Sequence, residues 1–434
     1  MIIHTVREGD SIQSISRQYN IPVSRLELDN SLPPDHSLNI GQALLISPPA
    51  ETYIVKEGDT VRGIAREHDI PTLQLLRNNP MLSETNLLTA GDELVIRYEL
   101  DRTISVMGYT SIFISEQILR RTLPYLSYVI IINYTVNALG GLEDINDERI
   151  IRIAIEYGVV PVMFVSSLNE AGRGSYASTH AILNNLNIQN QLIENIINVM
   201  GMKGYLALNL SFYNILRDDM PLYVEFVSNV TYRLNLMGYE VFVTLSPHTM
   251  GYQADVPYEE PYFRQLGEAT NRVILATYLW PYSYMSQVLQ TTYQYLRRYV
   301  EFAVTQIPPE KIYLGLSRIA YDWELPYVEG ETFGTSLTNE AALILANQLG
   351  AVIEFEEETQ TPYFYYNSAG ADHIVWFKDA RTNNAILGLV DEYGLAGLAI
   401  WNIMYYHPNT WATLNRQYGI QKYMEYEEDL EVPW

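Results

Sequence analysis

The sequence predicts an α/β chain: a TIM (β/α)8 barrel with a small α+β insertion, preceded by two βααβ modules. Three observations carry this. The first hundred of the 434 residues contain one pattern twice. From Thr103 onward, short and nearly continuous apolar runs alternate with amphipathic stretches eight times. Such strands must be covered on both faces, which is the condition of a parallel sheet wrapped in helices. Between the seventh and eighth runs lies an extra segment, about 328–375, with strand-like runs of its own.

The repeat sets His4–Asn30 over Tyr53–Asn79, so that Gly9-Asp10 falls on Gly58-Asp59, Ile15 on Ile64, Leu26 on Leu75 and Asn30 on Asn79. After one inserted residue, Asn39–Ile46 matches Thr89–Ile96. Each unit reads as a strand, a Gly-Asp turn with Ser11 or Thr60 placed to cap a helix, a second helix after Ile-Pro, and a closing strand. The expected modules are 1–48 and 52–98, joined by the Pro48–Thr52 linker.

The barrel is expected over 103–422. Its strand candidates are Ile104–Tyr109, Tyr128–Tyr134, Val159–Ser167, Tyr205–Phe212, Glu240–Pro247, Arg272–Trp280, Ile312–Trp323 and Gly397–Met404. Function in such a barrel gathers at the C-terminal strand ends. Those ends carry Tyr109, Tyr134, Asn209, Ser211, Tyr213, Tyr278, Trp280, Arg318, Tyr321, Asp322 and Trp401. An aromatic mouth with few charges suits flat sugar rings. The remaining residues, 423–434, read as an acidic, solvated tail.

Composition removes several function classes. Lys and Arg number 27 against 51 Asp and Glu, a net charge of −24 that repels phosphate backbones and anionic lipid. Nucleic acid and membrane are therefore not expected partners. The absence of cysteine excludes disulfides, zinc-thiolate sites and thiol nucleophiles. The seven His are scattered without metal-ligand spacing, so neither a metal nor a cofactor is expected. The start has no basic segment leading into a long apolar one, and no run of about 18 apolar residues occurs. Tyr, at 35 against 11 Phe, is the aromatic of choice.

The two repeats resemble the LysM module, through the strand, Gly-Asp-Ser/Thr and Leu-x-x-Asn elements quoted above. The resemblance implies binding of N-acetylglucosamine in peptidoglycan or chitin. It places Gly9, Asp10, Ser11, Asn30 and Ser31 in one shallow groove, and Gly58, Asp59, Thr60, Asn79 and Pro80 in the other. Gly and Asp serve the turn and cap as well, since loop backbone forms much of such a groove.

The barrel resembles glycoside hydrolase family 18, and within it the LysM-bearing spore-cortex N-acetylglucosaminidases of endospore formers. The resemblance rests on Leu275–Trp280, Ile307–Leu316, Ala320–Val328, Val375–Arg381 and Tyr393–Trp401. It implies substrate-assisted hydrolysis of β-linked N-acetylglucosamine. A Glu ending the fourth strand protonates the leaving oxygen, and an Asp two residues earlier orients the acetamido group, in the motif Asp-x-x-Asp/Asn-x-Asp-x-Glu. Here the motif positions are Leu206, Asn209, Ser211 and Tyr213. The Asn is kept, while the orienting Asp is Ser211 and the acid Glu is Tyr213.

A general acid works best with a pKa near the working pH, and a phenol starts near about 10. The expectation is a degenerate barrel that binds glycan, with a cleft of Tyr109, Tyr134, Asn209, Tyr278, Trp280, Tyr321, Asp322 and Trp401. The expected partner is peptidoglycan or another N-acetylglucosamine polymer, with spore coat or cortex proteins as further partners. The expected place is the spore envelope, reached without a signal peptide. The rival expectation is an active N-acetylglucosaminidase with a relocated acid; a third is a purely structural coat component.

Overall fold

The structure is a computed structural model that describes residues 1–30, 32, 37–85, 88–100, 102–168, 176–213, 215–245, 260–276, 293–328 and 331–425. Each N-terminal module is a two-stranded antiparallel sheet with helices packed on it. In the first, Ile2–Thr5 pairs with Ala43–Ile46 around helices Ile12–Tyr19 and Val23–Asn30. In the second, Glu51–Ile54 pairs with Glu93–Arg97 around Val61–Glu67 and Thr72–Asn78, with a short third helix Leu82–Thr85. The first helices begin where the sequence places caps. Ser11 accepts from the Ser14 amide in a reciprocal capping box, and Thr60 accepts from the Gly63 amide. Gly9 and Gly58 turn the chain into them at φ 86° and 89°, a region that favours glycine.

Eight parallel strands close the barrel: β1 (Arg102–Ser111), β2 (Tyr128–Thr135), β3 (Val160–Ser166), β4 (Ala207–Ser211), β5 (Glu240–Leu245), β6 (Arg272–Leu275), β7 (Ile312–Ser317) and β8 (Gly397–Trp401). Each pairs with the next, and β8 returns to β1 in the register Gly397–Ser105 to Ile400–Gly108. Period-two alternation splits the side chains into two cores. Outward residues such as Leu208 and Leu210 join a large core beneath the helices. Inward ones, including Met107, Tyr109, Tyr128, Phe164, Ala207 and Phe242, fill the barrel. Among the described residues, no helix is long and apolar enough to cross a membrane.

Three boundaries differ from the sequence expectation. The run Ile312–Trp323 is not one strand: β7 ends at Ser317, the Arg318 amide bonds to the Trp401 carbonyl, and Ile319–Leu325 joins a separate sheet. That sheet is the insertion, which therefore starts near 319 instead of 328. It has five antiparallel strands, with Ile319–Leu325 between Thr335–Thr338 and Ala371–Trp376, and a helix, Asn339–Leu349, against it. At the C-terminus, Tyr418–Ile420 lies beside the start of β1, and the Tyr423 ring leans on Tyr128, tilted by 41° at a centroid distance of 5.1 Å. Met424 packs against the barrel interior. Tyr423, still largely exposed, and half-buried Met424 thus lie against the N-terminal end of the barrel; 426–434 lie outside the described residues.

Both modules are seated on the barrel. The core of the second runs into the barrel's helical layer without a break. In the first, the Asn39 amide donates to the carbonyls of Ala346 and Ala351 at 3.0 and 2.8 Å, and the Ile353 amide donates to the Ile40 carbonyl at 2.9 Å. Gly41 fits there because it has no side chain: a Cβ would stand 1.7 Å from the Ile353 carbonyl oxygen. The modules also hold each other, Arg25 donating to the Tyr98 hydroxyl at 2.6 Å.

Candidate functional site

The C-terminal end of β4 builds the floor of the barrel mouth. Its inward positions are Ala207, Asn209 and Ser211, all buried. Asn209 is held in a closed triangle: its Nδ2 donates to the Tyr109 hydroxyl at 3.2 Å, its Oδ1 accepts from Thr244 Oγ1 at 3.0 Å, and those two hydroxyls lie 3.3 Å apart. Phe164 meets the Tyr109 ring edge-on at 6.0 Å, and Trp401 covers it at 5.2 Å. Tyr109 is 1% exposed, so it plugs the barrel beneath Trp401, which keeps some exposed surface at the mouth.

Past the strand, Ser167 clasps the backbone of Tyr213. Its hydroxyl accepts from the Tyr213 amide at 2.8 Å and donates to the Tyr213 carbonyl at 3.1 Å. The Tyr213 residue keeps some surface, but its phenol is enclosed. Burial pushes that phenol well above its ordinary pKa, and only the neighbouring Ser211 hydroxyl draws it back. Ser211 Oγ is itself buried and makes no hydrogen bond of good geometry, so the contact with Tyr213 is a close approach, not a formed bond. Leu206, the first motif position, lies before the strand, away from the mouth, and is 36% exposed.

The acids that follow in sequence do other work. Asp219 accepts from Asn184 at 3.0 Å and sits 2.7 Å from His180 Nδ1. Asp218 and Glu225 are exposed. Among the described residues, no group of three or more His, Asp or Glu is placed to hold a metal ion.

Several expected mouth residues are elsewhere. Tyr134 faces the helical layer: it is fully buried, and its hydroxyl donates to Asp147 at 2.6 Å. The pairing of β2 with β3 shifts register between Ile131 and Tyr134, and such a shift reverses which side a residue faces. Asn133 meets β3 in its place, accepting from Ser166 Oγ at 2.8 Å and donating to the Leu168 carbonyl at 3.0 Å. Arg318 turns into the helical layer, where Nη1 donates to Asn383 at 2.8 Å. Burial lowers its guanidinium to about 10, against the opposing pull of Glu340 and Asp379.

Tyr321 and Asp322 lie on opposite faces of the insertion sheet, because neighbours in a strand alternate. Tyr321 shares a face with Trp323 and with Trp376, its partner across the ladder. Asp322 accepts from the Tyr366 hydroxyl at 2.5 Å and pairs with His373 at 3.0 Å. Tyr278 and Trp280 lie outside the described residues.

In the modules, Gly9, Ser11, Gly58 and Thr60 are exposed on the loops after the first strands. Asp10 and Asp59 close those loops, accepting from the amides of Arg7 and Lys56 at 2.8 and 2.7 Å. Asn30 and Asn79 are buried supports. The Asn79 amide donates to the Leu75 and Val95 carbonyls and accepts from the Val95 amide; Asn30 does the same with Leu26 and Leu45. They set the loop and leave no free polar atom pointing outward for a ligand. Pro80 is half-buried beside Asn79, and Ser31 lies outside the described residues.

Sequence reading missed Ser167, Thr244, Asn133, Tyr366 and His373. The signal available was that Asn133, Ser167 and Thr244 fall at or near ends of strands already identified.

Comparison with known proteins agrees with this architecture. Residues 4–47 and 53–97 each match the LysM domain, and residues 172–405 match Glycosyl hydrolases family 18. The chain is 30% identical to the cortical fragment-lytic enzyme of Bacillus anthracis over 97% of its own length and 99% of that protein. The crystal structure of the Bacillus cereus spore cortex-lytic enzyme SleL superposes with a TM-score of 0.81 at 28% identity, covering 98% of this chain and 99% of that one. The Bacillus megaterium SleL structure gives 0.78 at 28% identity, covering 97% and 98%. The chain belongs to glycosyl hydrolase family 18, as a member with two N-terminal LysM domains.

Proposed function

We propose that this protein binds cortex peptidoglycan in the spore envelope with a family 18 barrel that holds glycan without cutting it. What supports this is the end of β4, where by the resemblance to family 18 Ser211 and Tyr213 replace an orienting carboxylate and a proton donor. Hydrolysis of β-linked N-acetylglucosamine needs a group that releases its proton near neutral pH as the bond breaks. The Tyr213 phenol is moved by burial in the opposite direction. A serine hydroxyl at 211 brings no negative charge to support a developing oxazolinium ion.

The binding half rests on the two LysM domains and on relatives named for cortex lysis. Two exposed Gly-Asp-Ser/Thr loops on one rigid body engage a repeating polymer together, which raises retention without tightening either contact. The loops at Gly9–Ser11 and Gly58–Thr60, with Ser31 and Pro80, are the glycan-contacting edges, and Asn30 and Asn79 hold them in place. Trp401 over Tyr109 offers an aromatic floor in the barrel. Coat or cortex proteins are further partners of the same envelope.

Co-sedimentation with purified cortex peptidoglycan, with soluble products followed by mass spectrometry, tests both halves. The native protein is expected in the pellet, with no new reducing ends. Protein left in the supernatant contradicts binding, and new reducing ends contradict the loss of chemistry.

A further inference from the structure

Among the described residues, two enclosed cations stand side by side where the chain leaves β7, and neither forms an ion pair. Arg318 is 3% exposed. Its Nη1 donates to Asn383 at 2.8 Å, while Nε and Nη2, the edge that donates two parallel bonds, have no acceptor. Lys378 is its neighbour. Lys378 Nζ reaches the carbonyl of Ile319, the next residue, at a long 3.4 Å, and the Asn339 side chain bridges the Arg318 carbonyl and the Lys378 amide at 3.1 and 2.7 Å. Buried charges are ordinarily paired, because leaving water without a partner is costly.

The carboxylates whose fields reach Arg318, those of Glu340 and Asp379, are turned elsewhere. Asp379 accepts from Arg381 Nη2 at 2.7 Å and from its Nε at 3.0 Å, and caps the helix Ala380–Tyr393 through the amides of Arg381 and Thr382. Glu340 Oε2 stands 3.9 Å from His407 Nδ1, and its Oε1 makes no hydrogen bond. Asn383 Nδ2 is a further buried donor without an acceptor. The fork at Arg318 has the shape that receives two carboxylate oxygens, and none is there.

A cavity of about 110 Å³ adjoins, lined by Gln42 and Ala43 of module one, Glu340 and Leu343 of the insertion helix, and Lys378 and Asp379. That is well below the roughly 300–1,000 Å³ of organic-ligand sites, so a sugar is excluded and a molecule of three or four atoms is not. Lys378 is the reactive group there. Burial, with Arg318 beside it, lowers its pKa to about 7, so its lone pair is free above that pH.

We propose that Lys378 is a modification site, which takes up carbon dioxide as a carbamate whose oxygens fill the Nε–Nη2 fork of Arg318. The amine nitrogen attacks the carbon of carbon dioxide, a C–N bond forms as one C=O π pair moves to oxygen, and a proton leaves the nitrogen for solvent. No oxidant or further reactant is needed. The product replaces two like charges by an attracting pair. It ties together the paired strands by which the chain enters and leaves the insertion, Ile319–Leu325 and Ala371–Trp376. The site is independent of the glycan-binding reading.

The test incubates the full chain at pH 8 with carbon-13 bicarbonate, fixes carbamates as ethyl esters with triethyloxonium, and maps them on peptides by mass spectrometry. Label at Lys378 is expected to exceed that at exposed Lys56 by about tenfold or more, because an ordinary lysine, titrating near about 10.4, is almost wholly protonated at that pH. Arg318→Lys keeps a cation without a fork, and is expected to lower the Lys378 label about tenfold, the size of one charge-assisted hydrogen bond. Bicarbonate is also expected to raise the thermal midpoint of the native protein and not that of Lys378→Met. Label at Lys378 no greater than at Lys56 overturns the site. Undiminished label in Arg318→Lys overturns the part played by the fork. An equal midpoint rise in native protein and Lys378→Met makes free bicarbonate the ligand and overturns the covalent step. The native label and the midpoint comparison decide that step whether or not Arg318→Lys folds.

Discussion

A carboxyl group and a phenol ordinarily titrate near about 4.3 and about 10. Burial raises both, which brings a glutamic acid toward the working pH and carries a tyrosine further from it. Tyr213 is in that second position, enclosed beside a serine hydroxyl. The barrel therefore predicts its own repair. Tyr213→Glu with Ser211→Asp should create turnover of cortex fragments, because general acid catalysis alone contributes about 10²–10⁴ in rate. Ser211→Asp alone should give none, since it restores charge without a proton donor. Product analysis of the two variants separates these outcomes. Asn79 makes a different kind of prediction. Its amide closes three buried hydrogen bonds, so Asn79→Ala should destabilise module two by about 2–3 kcal/mol. Denaturant midpoints measure this, and glycan retention should fall with the folded fraction. An Asn79→Ala protein that stays fully folded but loses retention would instead make the side chain a ligand contact.

Among the elements, what was legible in the sequence was whatever periodicity and capping express locally. The eight strand–helix alternations and the caps at Ser11 and Thr60 stand where residue order places them, because each depends on neighbours a few positions away. Tyr134 was not legible: counting by twos along β2 fails at a register shift that belongs to the pairing with β3. The break after Ser317 was hidden for a similar reason. Ile312–Trp323 reads as one apolar run, with neither Gly nor Pro where the chain leaves one sheet for another. Asn30 and Asn79 show a third limit, since a supporting amide and a sugar-binding amide are the same letter.

The turn at Arg318 has a pH consequence. The Lys378 ammonium is enclosed, and burial, together with nearby Arg318, lowers its pKa to about 7. Unfolded, it titrates near 10.5. The unfolded chain thus binds more protons between those values, and stability should climb as pH rises from about 7 toward 10.5. Lys378→Met should flatten part of that climb in thermal midpoints taken at pH 7 and 9. The Lys422 ammonium, enclosed among the Leu123, Leu126 and Tyr157 carbonyls and lowered in the same direction, supplies a share that remains.

At the scale of the whole molecule, the modules are parts of one body with the barrel. Module one meets the insertion through Asn39, Ile40 and Gly41, and module two shares the barrel's outer core. Gly41→Val should separate module one from the insertion. Its Cβ collides with the Ile353 carbonyl, and φ of 83° adds strain of about 1–2 kcal/mol. Small-angle scattering should then report a larger radius of gyration with barrel helicity unchanged; an unaltered radius would mean that the contact does not hold the module. A rigid body of this kind holds the two module loops and the barrel mouth in fixed register to one another. That is useful to a protein that stays on its glycan, and it also suits a family whose relatives are named for cutting it.

The most direct measurement is mass spectrometry of soluble cortex fragments after prolonged incubation with the native protein, with Tyr213→Phe, and with the Ser211→Asp, Tyr213→Glu pair. A barrel without a proton donor leaves the fragments unchanged with the first two and yields new reducing ends with the third. New reducing ends produced by the native protein and abolished in Tyr213→Phe would contradict it, and would make Tyr213 the acid of an active enzyme.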